Sequence, residues 1–396
     1  MSDWVLADGY RFAGVHAGMR PDPNRLDLAL VLSDRPATAA GVFTQNRVRA
    51  APVRVCQERL PRDDARGVVI CSGNANACTG PQGLADARRM TARAAELVGC
   101  REEQMLVCST GVIGRHLPMP KVEAGIALAA EKLAADSASV ENVAHAIMTT
   151  DTRIKVVTRT LALPGGEVRF TGIAKGAAMI GPNMATMLAF CFTDAAVSTA
   201  DLADCVRHAT ERSFNCISVE GHTSTNDSLL LFANGTGPKL NGPALALFKQ
   251  ATTEVCSQLA RAIAEDAEGA THLIALTVEG TRTEAEARQI AKVVAESALV
   301  KTAVFGADPN WGRIVSAAGY AGIEFEEEDL SLWLGEMLLY KAGVPQPFDA
   351  AKASAYLKEN RNIEVRLKFT LGQASCQFWT CDLGYEYVRL NADYTT

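Results

Sequence analysis

Several familiar signatures are missing from this chain. It has no GxGxxG after an apolar run, no GxxxxGKS/T, no HExxH and no GxSxG. Nicotinamide-dependent hydride transfer, P-loop phosphoryl transfer, zincin proteolysis and α/β-hydrolase chemistry therefore have no support. A basic excess is missing too. Lysine and arginine number 39 against 45 aspartate and glutamate, a net charge of −6, whereas a nucleic-acid binder shows a basic patch or a pI above ~9. Histidine is scarce, and its six copies (His16, His116, His145, His208, His222, His272) are scattered. Each reads as a surface or hydrogen-bonded core residue, not as half of a ligand pair. The eleven cysteines include no CxxC and no zinc-finger spacing. Several stand in apolar runs, such as Cys71 and Cys191, and read as reduced, buried thiols of a reducing compartment.

A membrane span is excluded by composition as well. Residues 176–193 carry no charge, but Gly176, Gly181, Pro182 and Asn183 would break a helix there. The stretch reads as a glycine-rich turn entering a buried strand. The opening Met1-Ser2-Asp3-Trp4 has no basic and apolar export pattern. The expectation is a soluble, cytoplasmic protein with neither nucleic acid nor membrane as partner.

What is present is a long, apolar chain. Its 396 residues are 48% hydrophobic, enough for two or three domains with a sizeable core. Short apolar runs predict strands at 26–32, 67–71, 105–108, 154–163, 186–192, 228–232, 272–278, 363–371 and 375–383. Gly372-Gln373 reads as a hairpin turn between the last two. Amphipathic spacing predicts helices at 83–98, 120–133, 199–213, 243–267, 284–299 and 329–339. The helix from Pro243 is the clearest, because Phe248, Ala251, Val255, Leu259 and Ile263 fall on one face. The run from Glu324 to Asp329 reads as a solvated face with N-terminal helix charge. The mixed order predicts an α/β (α+β) protein.

One segment carries chemistry. Residues 175–192 deliver Ala185-Thr186 from a glycine and proline loop into an apolar strand. A threonine hydroxyl at such a junction can attack the preceding carbonyl, giving an ester that water cleaves. The newborn threonine then holds both a hydroxyl nucleophile and, in its own α-amine of pKa ~7.7–8, a general base. Spacing alone would leave Thr186 an ordinary strand residue.

The sequence here resembles the ornithine acetyltransferases, the glutamate N-acetyltransferases of arginine biosynthesis. Lys175-Gly176 and Pro182-Asn183-Met184-Ala185-Thr186-Met187-Leu188 look like that family's self-cleavage segment. Other matching stretches are Ser72-Gly73-Asn74-Ala75-Asn76-Ala77-Cys78-Thr79-Gly80, Ser109-Thr110-Gly111-Val112-Ile113-Gly114 and Thr149-Thr150-Asp151-Thr152. Ser224-Thr225-Asn226-Asp227, Gly306-Ala307-Asp308-Pro309-Asn310-Trp311-Gly312-Arg313 and Asn391-Ala392-Asp393-Tyr394-Thr395-Thr396 complete the set, in the family's order.

The resemblance implies cleavage between Ala185 and Thr186 into an α chain, 1–185, and a β chain, 186–396, with 281–396 a smaller C-terminal domain. It implies a self-cleaving αββα sandwich-like core and an (αβ)₂ assembly. Thr186 becomes the acetyl acceptor in a ping-pong cycle from N-acetylornithine to glutamate. Thr110 and Gly111 form the oxyanion hole; Thr149, Lys175, Thr186, Glu268, Asn391 and Thr396 contact substrate. No metal or organic cofactor is implied, and acetyl-CoA is a candidate second acetyl donor. Opposite charges suggest that Lys175 holds a carboxylate and Glu268 an ammonium. Glu268 also stands with Glu265 and Asp266 at a helix C-terminus, where carboxylates oppose the macrodipole. Two positions depart from the family pattern: Ala178 where glycine is usual, in the loop presenting the scissile bond, and His222, read as facing solvent. A monofunctional transferase, a threonine-nucleophile aminopeptidase and a non-catalytic amino-acid-binding protein remain open on sequence alone. The 72–80 and 306–313 stretches suggest backbone packing near the site, with Trp311 a core anchor.

Overall fold

The apolar runs collect into two sheets. The computed structural model describes residues 4–163, 165–181 and 187–393. The chain forms β1 (Tyr10–Val15), β2 (Leu28–Phe43), α1 (Ala51–Arg59), β3 (Arg62–Asn74), α2 (Gly80–Val98), β4 (Met105–Val112), α3 (Met119–Glu131) and α4 (Ser137–Ile147). There follow β5 (Lys155–Leu163), β6 (Gly166–Lys175), β7 (Leu188–Thr193), α5 (Thr199–Arg212), β8 (Ile217–Ser218), β9 (Ser228–Ala233) and α6 (Gly242–Glu265). An eight-stranded sheet runs β4-β3-β2-β9-β7-β6-β5, with β1 also paired to β2.

Its central strands β7 and β9 are buried at every position because helices cover both faces. Leu188, Phe190 and Phe192 of β7, with Leu230 and Phe232 of β9, face a core shared with α1–α4. The alternating Ala189, Cys191, Leu229 and Leu231 face α5 and α6, where Phe248, Val255, Leu259 and Ile263 form the stripe that the periodicity predicts. Pairs β3–β4 and β7–β9 are parallel.

The remainder is β10 (Leu273–Thr281), α7 (Glu284–Glu296), α8 (Ala298–Phe305), α9 (Trp311–Gly319), β11 (Ser331–Leu334), β12 (Met337–Lys341), β13 (Val344–Pro345), α10 (Ala350–Glu359), β14 (Asn362–Lys368), β15 (Ala374–Cys381) and α11 (Tyr385–Asp393). These strands and β8 make a second, seven-stranded sheet, β13-β12-β11-β14-β10-β15-β8. The class is α/β, as predicted. No helix among the described residues is long and apolar enough to cross a membrane. All eleven cysteines are free thiols, and eight of them are buried.

Three expectations are corrected. Residues 329–339 are not a helix but the hairpin β11–β12, with Gly335 in left-handed backbone (φ +56°) at its turn. Leu330, Leu332 and Leu334 are buried at alternate positions, the period of a strand, and β14 supplies the partner. Local helix propensity yields to that pairing. The strands flanking Gly372-Gln373 do not form a hairpin either: β10 lies between them, parallel to β14 and antiparallel to β15. The single helix expected over 284–299 is two, because Ser297 leaves α7 and caps α8, its hydroxyl accepting from Val300 N at 3.4 Å.

Candidate active site

The site lies where neighbouring strand ends meet. Lys175, the last residue of β6, pairs with Leu188, and Leu188 pairs with Ser228 of β9. Just beyond that row, Met187 N donates to Asp227 Oδ1 at 3.0 Å, and Met187 O accepts from Ser228 N at 3.2 Å. Lys175 and Asp227 are both fully buried. Among the described residues, Lys175 Nζ and Asp227 Oδ2 have no hydrogen-bond partner. Burial pushes the Lys175 ammonium down to about 8 against the attraction of Asp151 and Asp227. Burial also raises the Asp227 carboxyl well above the usual range, outweighing the Met187 N–H and the Lys175 charge.

Thr149 is fixed from beside this pair. Its N–H donates to Asp151 Oδ2 at 2.9 Å, while Asp151 Oδ1 accepts from Gly176 N at 2.6 Å and Lys155 Nζ at 2.7 Å. Lys155 Nζ also reaches Asp266 Oδ2 at 2.6 Å. Burial works to raise Asp151, but Lys155 and Lys175 together with the Gly176 N–H hold it below its ordinary value. The buried Asp151–Lys155–Asp266 group is satisfied from both sides. It ties the Thr149 loop, the end of α6 and the start of the Gly176 loop together.

Thr110 and Gly111 stand just before the last residue of β4, Val112. Thr110 is buried, and Gly111 adopts φ +130° with its backbone against Gly73, where a Cβ would lie 2.4 Å from a carbonyl carbon. Glycine is required by that approach. Asn226 Nδ2 donates to Ser109 O at 2.8 Å and Ala75 O at 2.6 Å, which joins this strand to the segment holding Asp227. Asn74 Nδ2 donates to Arg115 O and His116 O, both at 3.2 Å. The 72–80 stretch is thus a brace for the turn after Gly111. The 306–313 stretch is different, for it bridges α8 and α9 beside the second sheet, where half-buried Trp311 stacks on Tyr340 at 5.4 Å between centroids.

Glu268 follows α6. Its N–H donates to Ala177 O at 2.9 Å, and its Oε2 accepts from Asn391 Nδ2 of α11 at 3.1 Å. A Cβ on Gly269 would stand 2.4 Å from Tyr387 N, so α11 docks closely on this turn. Of the acids expected near this helix end, Asp266 pairs with buried Lys155 and Glu265 with Arg153 and Arg261. Only Glu268 reaches the loop that follows Lys175.

Thr110, Gly111, Thr149, Lys175, Glu268 and Asn391 are therefore brought together, linked by hydrogen bonds through Asn226, Asp227, Asp151 and Ala177. Ala185, Thr186 and Thr396 lie outside the described residues. His222 is exposed and Ala178 half-buried. Sequence reasoning gave no role to Asp151, Asn226 or Asp227, although each stood inside a matching stretch; a carboxylate between threonines or just before an apolar strand was the available signal. It missed Glu220 altogether. That carboxylate accepts from Ile180 N at 2.5 Å and is raised to about 7 by burial.

Residues 11–396 match the ArgJ family. The chain is 46% identical to the arginine biosynthesis bifunctional protein ArgJ of Parasynechococcus marenigrum, covering 100% of this chain and 97% of that one. It is 45% identical to the protein of the same name from Geobacter sulfurreducens, over 98% and 99%. A crystal structure of arginine biosynthesis bifunctional protein ArgJ from Bacillus halodurans matches 53% of this chain and 100% of its own at 40% identity, with a TM-score of 0.51. On these matches, and on the convergence of the motif residues, the chain belongs to the ArgJ family of acetyltransferases of arginine biosynthesis.

Proposed function

We propose that the chain cleaves itself between Ala185 and Thr186 and then carries acetyl on Thr186 from N-acetylornithine to glutamate. In the first event the Thr186 hydroxyl attacks the Ala185 carbonyl carbon, the amide nitrogen departs as the new α-amine, and water cleaves the resulting ester. The products are an α chain of 1–185 and a β chain of 186–396. In transfer, the freed amine accepts the hydroxyl proton as Thr186 attacks the acetyl carbonyl. Thr110 and Gly111 stabilise the oxyanion, a contribution of ~3–4 kcal/mol for one such donor. Ornithine leaves, and glutamate takes acetyl from the ester by the reverse path. Acetyl-CoA serves as a second acetyl donor, and no metal or organic cofactor takes part.

Lys175 holds the substrate α-carboxylate; Glu268 holds an ammonium, with Asn391 orienting its carboxylate. Thr149 and Thr396 complete the contacts. The assembly is (αβ)₂, in the cytoplasm. The observation that carries this reading is the buried Lys175 ammonium, without a hydrogen-bond partner among the described residues, on the strand end that pairs with Leu188, two residues after Thr186. Intact mass under denaturing conditions tests it. Wild type gives two fragments, the second beginning at Thr186, and Thr186→Ala gives one chain with no transfer. A single chain in both removes the amine base and the mechanism with it.

A further inference from the structure

We propose that residues 219–227 form a two-ended clamp on the segment bearing the Ala185–Thr186 bond, with Glu220 and Asp227 as its positioning residues. The inference rests on the self-cleavage reading above. Upstream of the bond, Ile180 is held from both its backbone groups. Its carbonyl accepts from Val219 N at 2.8 Å, Gly221 N at 3.2 Å and Glu220 N at 3.3 Å, and its N–H donates to Glu220 Oε1 at 2.5 Å. Gly181 then lies on Gly221 so closely that a Cβ would stand 2.5 Å from its carbonyl carbon. Downstream, Met187 is held in the same manner, its N–H on Asp227 Oδ1 at 3.0 Å and its carbonyl on Ser228 N at 3.2 Å.

One short stretch thus pins the chain on both sides of the scissile bond, each time with a carboxylate on a backbone N–H. The clamp is itself anchored. Thr44 Oγ1 donates to Ser224 O at 2.6 Å, Thr44 N to Asp227 O at 3.0 Å, and Ala50 N to Thr225 O at 2.9 Å. Asn226 adds its bond to Ser109 O, the residue before Thr110. The stretch that grips Ile180 and Met187 therefore also grips the strand that carries Thr110 and Gly111. Orientation of this kind matters steeply, since a ~1 Å misplacement can cost ~10²-fold in rate. Removing a clamp carboxylate frees the loop end and leaves a buried N–H without its acceptor.

The test follows processing of freshly synthesised full-length chain by intact mass over time. Asp227→Ala and Glu220→Ala are expected to slow the appearance of the two fragments by about 10–100-fold. Asp227→Asn and Glu220→Gln, whose amide oxygen accepts from the same N–H, are expected to return within about 3-fold of wild type. Thermal unfolding of each alanine variant in a Thr186→Ala background separates loss of positioning from loss of folding. Should Asp227→Ala fail to fold, Glu220→Ala, at the half-buried end, decides alone. The clamp is overturned if the alanine variants process at the wild-type rate, or if Asn and Gln are as slow as Ala. A wild-type chain that stays whole is a different result, and defeats the self-cleavage reading beneath it.

Discussion

Two buried lysines, one in each half of the molecule, look alike by exposure and differ in everything else. Lys301 of α8 donates to Thr380 Oγ1 at 3.0 Å, to the Cys381 carbonyl and to Cys381 Sγ at 3.4 Å, seating its ammonium on β15. Lys175 at the end of β6 has no such bond among the described residues, although Asp151 and Asp227 stand near it. A buried charge is costly unless it is compensated. The compensated one supports the fold; the other is the lysine that the proposed function assigns to the substrate carboxylate. Burial by itself does not separate structure from function; the state of the hydrogen bonds does.

The sharpest way to break this comparison is to remove both charges in turn. Lys175→Met is expected to cost ~10²-fold in kcat/KM for acetyl transfer, in line with the loss of a charge-assisted contact of ~1.5–3 kcal/mol. Its melting temperature should hold or rise, since an unpaired buried charge disappears. A variant that keeps activity and loses stability would reverse the assignment. The next largest effect is on pH. Lys175 sits at about 8 in the fold against ~10.4 free, so kcat/KM should fall as pH rises through 8 and the ammonium is lost. Stability moves the other way, because between those values the unfolded chain binds more protons and folding strengthens as pH increases. Both limbs should vanish in Lys175→Met, as read by transfer rate and by melting temperature.

Lys301→Met should do the opposite of Lys175→Met and more mildly. It takes a donor away from the Thr380 hydroxyl and the Cys381 carbonyl, a cost of ~1–3 kcal/mol visible in chemical denaturation, with transfer within about 2-fold of wild type. The smallest effect belongs to His222→Ala. That residue is exposed, so stability should shift by no more than ~0.5 kcal/mol. Acetyl transfer should not change; a change in acceptor preference would give His222 the role denied it here.

The same contrast explains what the sequence made legible. Strands such as β7 and β9 and the stripe of α6 were readable because their pattern is local, repeating every residue or every turn. The 331–341 hairpin was not, since Leu330, Leu332 and Leu334 choose a strand only once β14 lies alongside. Nor was the separation of β14 from β15, because β10, some 90 residues earlier, inserts between them. At the site, Lys175, Glu268 and Asn391 were found through matching motifs, and the fold joined them. Asp227 stood inside a matching motif without a role of its own, and Glu220 stood in none. Their distinction is full or partial burial with one oxygen on a backbone N–H, and that exists only after the chain has closed around them.

The order of the first sheet bears on what a cut at Ala185–Thr186 would look like from outside. Strands β7 and β9, both from the later piece, lie side by side between β6 and β2, both from the earlier one. Six residue pairs join each seam, from Phe170–Thr193 to Lys175–Leu188 and from Thr38–Ala233 to Phe43–Ser228. The two products would be interleaved, not merely adjacent, and neither could leave without unzipping a shared sheet at two places. Gel filtration of native protein would register one particle before and after the bond is broken. The event is a nick in a woven fabric, and only a denaturant would let the two threads be counted.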